Sequence, residues 1–219
     1  MKSDLHIHSS CSDHSTATLE QIMARCLEEG LGCIAVTDHT TVDGARRLKD
    51  MAPFKVIIGQ EVMTLDGEIT GLFIEEPLAQ HRPLAETVAE IRSQSGLVYI
   101  PHPCELIRFK KRLDHGALSE VIDQVDVIET FNARATIGLF NDRALALAER
   151  YGSHRGAGSD AHSAAEIGRA FVSMPDFENV DGFLDALSRG TINGSRSGLW
   201  VHIATLARKA LIRLGSESP

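Results

Sequence analysis

Seven short runs of aliphatic and β-branched residues, most of them separated by segments with helical periodicity, limit what this chain can fold into; they fall at residues 3–8, 32–37, 55–62, 68–74, 97–100, 125–131 and 154–157. An apolar run of about four to eight residues bounded by turn formers reads as a buried strand, and strands alternating with amphipathic segments form βα units around a parallel sheet or barrel. The intervening segments carry their own signals. Thr18 followed by Gln21 predicts a capping box, with Leu19, Ile22, Met23, Cys26 and Leu27 on one helix face and Gly30 as the stop. Further helices are predicted over 43–50, 84–95, 117–124, 137–151 and 180–188. Asp66-Gly67 predicts a tight turn joining the third and fourth strands. With no internal repeat or low-complexity segment, one main domain is expected over residues 1–197.

The polar residues at the strand ends point to chemistry. His6 and His8 lie two apart, and in an extended segment such residues share a face, so two imidazoles aim at one point. Downstream, Asp38-His39, Glu61, His102, Glu129, Asp160 and His162 each lie in or just after a predicted strand. Parallel sheets and barrels build their sites at the carboxyl ends of strands, so residues far apart in sequence converge there. A lone histidine at a strand end is more often a packed core residue. The same coincidence at strand after strand points to a metal cluster.

Composition narrows the class. The 219 residues are 43% hydrophobic with formal charge −8, which suits a globular chain with a large core and argues against a nucleic-acid-binding surface. No apolar run reaches the ~18 residues of a membrane span, and the N-terminus lacks a secretory layout, so a cytoplasmic location and no membrane partner are expected. Cys11, Cys26, Cys33 and Cys104 form no Cys-x-x-Cys pair and read as buried thiols.

An ordered set of motifs, Asp4-Leu-His-Ile-His8, Ser12-Asp13, Val36-Thr-Asp-His39, Gly59-Gln-Glu61, Pro101-His-Pro103 and Gly158-Ser-Asp-Ala-His162, resembles the PHP domain, the polymerase-and-histidinol-phosphatase superfamily of metal-dependent phosphoesterases. The resemblance implies an α/β fold, a distorted (β/α)7 barrel, with three divalent ions (manganese, zinc or iron) at its C-terminal end. It implies a first metal held by His6, His8, Glu61 and Asp160. Glu61 would bridge to a second metal completed by His102 and Glu68, with Glu129 the alternative to Glu68. A third would be held by Asp13, or its neighbour His14, with His39 and His162. Glu68 stands where many relatives carry a histidine, and a carboxylate can replace imidazole on a hard divalent ion.

Such a ligand set implies hydrolysis of a phosphomonoester or phosphodiester of a small metabolite or nucleotide. The nucleophile would be a metal-bridging hydroxide, and His39, His162 or Asp160 are candidates to pass a proton to the leaving oxygen. Arg134, just past a strand end, and Arg108, in the basic loop after His102, are the candidate phosphate-binding cations; Arg169 and Arg196 are weaker ones. Asp38 is expected to orient His39 or cap the following turn. His81, His115, His154 and His202 lack motif context and read as surface or packing residues. Residues 198–219 contain a stripe, Trp200, Ile203, Ala204, Ala207, Leu211 and Leu214, with Arg208, Lys209 and Arg213 opposite, which predicts an amphipathic helix packed on the barrel. Two other functions fit less of the pattern: an amidohydrolase acting on a C–N bond, which would also begin with His-x-His, and a non-catalytic metal-stabilised module.

Overall fold

A computed structural model describes residues 1–12, 15–105 and 113–198. In chain order the elements are β1 (Lys2–Ile7), α1 (Leu19–Glu29), β2 (Leu31–Val36), α2 (Asp43–Met51), β3 (Lys55–Met63), β4 (Glu68–Leu72), α3 (Leu84–Ser93), β5 (Leu97–Ile100), α4 (His115–Val121), β6 (Val127–Asn132), α5 (Gly138–Tyr151), β7 (His154–Gly158), β8 (Ala170–Ser173), α6 (Val180–Ser188) and β9 (Thr191–Gly194). Helix α1 begins and ends as its sequence predicts: Thr18 and Gln21 cap each other reciprocally, and Gly30 adopts φ 66°. The segment read as a helix over 117–124 is α4 followed by a 3-10 turn at Ile122–Gln124.

The strands form one sheet in the order β7-β6-β5-β4-β3-β2-β1-β8-β9. β1, β2 and β3 pair in parallel, as do β5, β6 and β7, while β4 is antiparallel to both β3 and β5. The two ends of this array approach each other. Ile7 bridges Ala161 in parallel, the Asp160 amide donates to the His6 carbonyl (2.8 Å), and the His8 amide donates to the Ala161 carbonyl (2.9 Å). A Cβ on Gly158 would stand 2.3 Å from His6 Cβ, so only glycine permits β7 to close against β1. The result is a distorted, nearly closed barrel.

Two strands go beyond the expected seven: β8 pairs antiparallel with β1, and β9 with β8. Each has four residues, Ala-Phe-Val-Ser and Thr-Ile-Asn-Gly, too short and too mixed in polarity to announce itself by alternation. The core packs α1 and α2 against β1 and β2 (Ile22, Cys26, Ile34, Val36, Leu48), and α3 and α4 against β4 to β6 (Ile69, Val88, Ile91, Ile100, Ile128). At the amino-terminal end of β3, Phe73, Phe177 and Phe183 meet edge to face with centroids 5.1–6.4 Å apart. The opposite end, where the parallel strands finish, is polar.

Candidate metal centre

Strand direction decides which residue of each element reaches that polar end. His6 lies in β1 and His8 just beyond it; Glu61 lies near the end of β3; His102 and Asp160 each follow the last residue of their strand by two positions. Because β4 runs the opposite way, its first residue arrives there, with Glu68 paired against Met63. His102 (φ 31°) and Asp160 (φ 52°) adopt a backbone region that L-residues rarely occupy, at a cost on the order of 1–3 kcal/mol each.

These side chains converge. His6 Nε2 lies 3.1 Å from His8 Nε2, 3.5 Å from Glu61 Oε2 and 3.7 Å from Asp160 Oδ1. His8 Nε2 lies 3.4 Å from Glu61 Oε2 and 3.5 Å from Asp160 Oδ1. Glu61 also meets His39 Nδ1 (3.3 Å) and, through its other oxygen, His102 Nε2 (2.8 Å), which is 3.7 Å from Glu68 Oε2. His8, His39 and His162 form a further group whose donor atoms fall within 4.8 Å of one another, as do those of His6, His102 and Asp160 and of His39, Glu61 and Glu68. Donors held about 2.1 Å from one tetrahedral ion sit about 3.4 Å apart. The observed spacings of 3.1–3.7 Å among His6, His8, Glu61 and Asp160 fit ligands that share an ion.

A surrounding layer aims the donors. Glu129 Oε1 accepts from His6 Nδ1 (3.0 Å) and the Tyr99 hydroxyl (3.0 Å), and Oε2 accepts from the His102 amide (2.7 Å) and Asn132 Nδ2 (2.9 Å). With both oxygens on protein donors, Glu129 holds His6 so that Nε2 faces the cluster. Asp38, expected to act on His39 or a turn, instead accepts from the amide (2.7 Å) and hydroxyl of Ser9, bracing the segment beyond His8. The Gln60 amide donates to the His39 carbonyl (3.0 Å), as does that of Gln80. Asp4 accepts from the amides of Ser159 (2.9 Å) and Gly168 (3.0 Å), tying β1 to the loop after β7.

Charge is finely set in this buried volume. Burial opposes protonation of His6, yet Glu129, Asp160 and Glu61 outweigh it and hold its pKa well above the ordinary imidazole range. Burial likewise works against a charged His8, but its contacts with Asp160 and Glu61 raise it. Glu61 would be raised by burial, but the charge on His6 and hydrogen bonds from His102, His6 and His8 take it well below the usual carboxylate range. The cluster thus demands positive charge, which protons supply to a metal-free chain. His162 behaves oppositely: burial first, then the charges of His8 and Arg134, depress it well below 6.5. Its Nδ1 donates to the Asp160 carbonyl (2.8 Å), leaving Nε2 directed elsewhere.

Of the residues the sequence singles out, His6, His8, His39, Glu61, Glu68, His102, Asp160 and His162 come together, whereas Asp13, His14, Arg108 and the stretch 199–219 lie outside the described residues. Arg134 is buried, with Nη1 2.9 Å from Glu166 Oε1. His81 is exposed and His154 half-buried, both as expected of residues without motif context. Sequence reading missed Glu166, Tyr99 and Gln80, each of which acts on the cluster through a partner rather than by its own pattern. Glu166, four residues after His162, carried the nearest thing to a signal.

A family model described as PHP domain matches residues 4–152, and one described as PHP-associated matches residues 138–192. Two uncharacterised proteins of Methanocaldococcus jannaschii are each 33% identical, over 80% of this chain and 71% of the first, and over 66% of this chain and 90% of the second. A phosphoribosyl 1,2-cyclic phosphate 1,2-diphosphodiesterase of Eggerthella lenta is 34% identical over 44% of this chain and 40% of its own length. Among solved structures, the fold resembles a two-domain Bacteroides vulgatus protein containing a predicted PHP-like metal-dependent phosphoesterase (TM-score 0.71, 17% identity, 89% of this chain and 65% of that one). It also resembles an amidohydrolase of Chromobacterium violaceum with bound sulfate (0.62, 15%, 95% and 97%) and a lesion-specific endonuclease of Pyrococcus furiosus (0.62, 16%, 87% and 57%).

Proposed function

The chain belongs to the PHP domain family, and on that premise we propose that it is a metal-dependent phosphoesterase with three divalent ions at its polar barrel end, hydrolysing a phosphomonoester or phosphodiester of a small metabolite or nucleotide. The observation that carries this reading is the buried cluster itself: imidazoles and carboxylates with metal-ligand spacing and a surplus of negative charge to neutralise. His6, His8, Glu61 and Asp160 would hold one ion, Glu61 with His102 and Glu68 a second, and His39 and His162 with Asp13 a third. Bound there, divalent cations supply water acidified toward neutral pH and a counter-charge for the phosphate oxygens.

The remaining work falls to side chains of this protein. Glu129 keeps His6 in the tautomer whose Nε2 faces inward, and the Asp160 carbonyl does the same for Nε2 of His162. His39 and His162 are the most open histidines of the described cluster, with side chains 18% and 11% exposed against 1% for His6, so the ester would approach from their side. Arg134 and Arg108 are the proposed cations for the phosphate, because a planar guanidinium matches its oxygens. Glu61, which would be shared by two ions, is a carboxylate, and among the described residues the carboxyl ends of the strands carry no lysine that could take its place, which favours ester over amide hydrolysis.

The test is a panel of p-nitrophenyl phosphate, its diester, nucleotides, short DNA and an amide, assayed after reconstitution with manganese, zinc or iron. Phosphate-ester cleavage that EDTA abolishes is the expected result. Amide cleavage without ester cleavage would overturn the reading.

A further inference from the structure

The loop after β7 carries both Asp160 and His162, and something must hold it against the strain of Asp160 at φ 52°. The Asp160 amide is tied to β1 through the His6 carbonyl (2.8 Å), but His162 lies two residues further on. There the His162 carbonyl accepts from the Thr16 amide (2.8 Å) and the Ser15 hydroxyl (3.1 Å), while the anchor of the His162 amide is Glu166, only 4% exposed. Its Oε2 accepts from the His162 amide (3.1 Å) and from the Ser163 hydroxyl (2.8 Å), and its Oε1 accepts from Arg134 Nη1 (2.9 Å). Arg134, 3% exposed, sits just past β6. One buried carboxylate therefore joins the loop after β6 to the backbone of His162.

We propose that Glu166, anchored by Arg134, is a positioning residue that fixes His162 for metal binding, an inference that rests on the metal-dependent reading given above. Buried ion pairs are costly and commonly no better for stability than apolar side chains of similar volume. The pair's value here is directional: the charge of Arg134 orients a carboxylate whose second oxygen receives the amide of a metal-binding residue. Partners that orient metal ligands in this way change metal affinity by about 10–100-fold when removed.

The experiment reads metal without substrate. Manganese uptake by the full chain is measured by equilibrium dialysis with elemental analysis and by titration calorimetry, for wild type, Glu166→Ala, Arg134→Lys and the double variant Arg134→Met/Glu166→Met. The double variant removes both charges of the Arg134–Glu166 pair together, so its EDTA-treated form is expected to melt closer to the wild-type temperature than that of Glu166→Ala. The expected result is that the double variant loses one manganese equivalent, or binds it at least about tenfold more weakly, while the other ions bind as in wild type; Arg134→Lys, which can still pair with Glu166, restores it. A folded double variant with wild-type stoichiometry and affinity would overturn the inference and leave the metal-dependent reading intact. A wild-type chain that takes up no divalent ion would overturn both.

Discussion

Replacing Glu129 by glutamine gives the sharpest test of how the cluster is organised, because it changes charge and one hydrogen-bonding edge while keeping the shape. Four donors converge on this carboxylate: His6 Nδ1, the Tyr99 hydroxyl, the His102 amide and Asn132 Nδ2. A glutamine side chain offers one acceptor oxygen, so one of the two pairs must face its NH2 group instead. If the oxygen stays with His6 and Tyr99, the His102 amide loses its acceptor and Asn132 keeps only its long contact with Asp160 Oδ2 (3.4 Å), both beside a residue that is 1% exposed. Each buried donor left unsatisfied costs about 1–3 kcal/mol, so the substitution should cost about 2–5 kcal/mol. For a chain of this size that is a fall of roughly 5–20 °C in melting temperature. Loss of the His102 amide contact also frees a residue held at φ 31°, so affinity for the ion proposed at His102 should fall about 10–100-fold. Thermal melts in EDTA isolate the first effect, and manganese titration of the same protein reads the second. A variant that melts within about 2 °C of wild type and binds manganese equally well would refute the role assigned to Glu129.

Other perturbations bear on single contacts. Glu68→Ala should lower metal content and ester hydrolysis together, read by elemental analysis and initial rates; full metal occupancy would remove Glu68 from the ligand set. Gly158→Ala places a Cβ 2.3 Å from His6 Cβ and 2.9 Å from its backbone nitrogen, so the closure between β7 and β1 must open; a loss of several kcal/mol in stability, measured by urea unfolding, is expected, and an unperturbed protein would show the closure to be slack. Asp4 is pushed up to about 6 by burial, only partly offset by its hydrogen bonds with Ser159, Gly168 and His6. A carboxyl raised above its unfolded value of 3.8 favours the folded state while protonated, and that advantage is lost as pH rises through about 6. In the metal-free chain, Asp4→Asn should therefore gain on wild type by up to about 3 kcal/mol between pH 4 and pH 7, measured by urea unfolding at each pH; a constant difference would contradict the raised pKa.

Legible in the residues alone are the alternation of strands and helices, the capped start and glycine stop of α1, the turn between β3 and β4, and the set of metal-capable side chains. These are readable because each depends on neighbours within one element: a period of two along a strand, a capping box of four residues, a donor at a strand end. The remaining features depend on residues far apart in the chain. Glu129, which the sequence left open as a ligand, becomes the partner of His6, 123 positions away, because β6 and β1 bring them within 3.0 Å. Asp38 turned from His39 to Ser9, 29 residues distant, for the same reason. Glu68 reaches the cluster from the start of its strand because β4 is antiparallel, a fact set by pairing with β3 and β5 rather than by its own five residues. The strands β8 and β9 exist only because the edge of β1 offers them a ladder. Local pattern specifies which side chains are available; only the packing of distant elements specifies what each one faces.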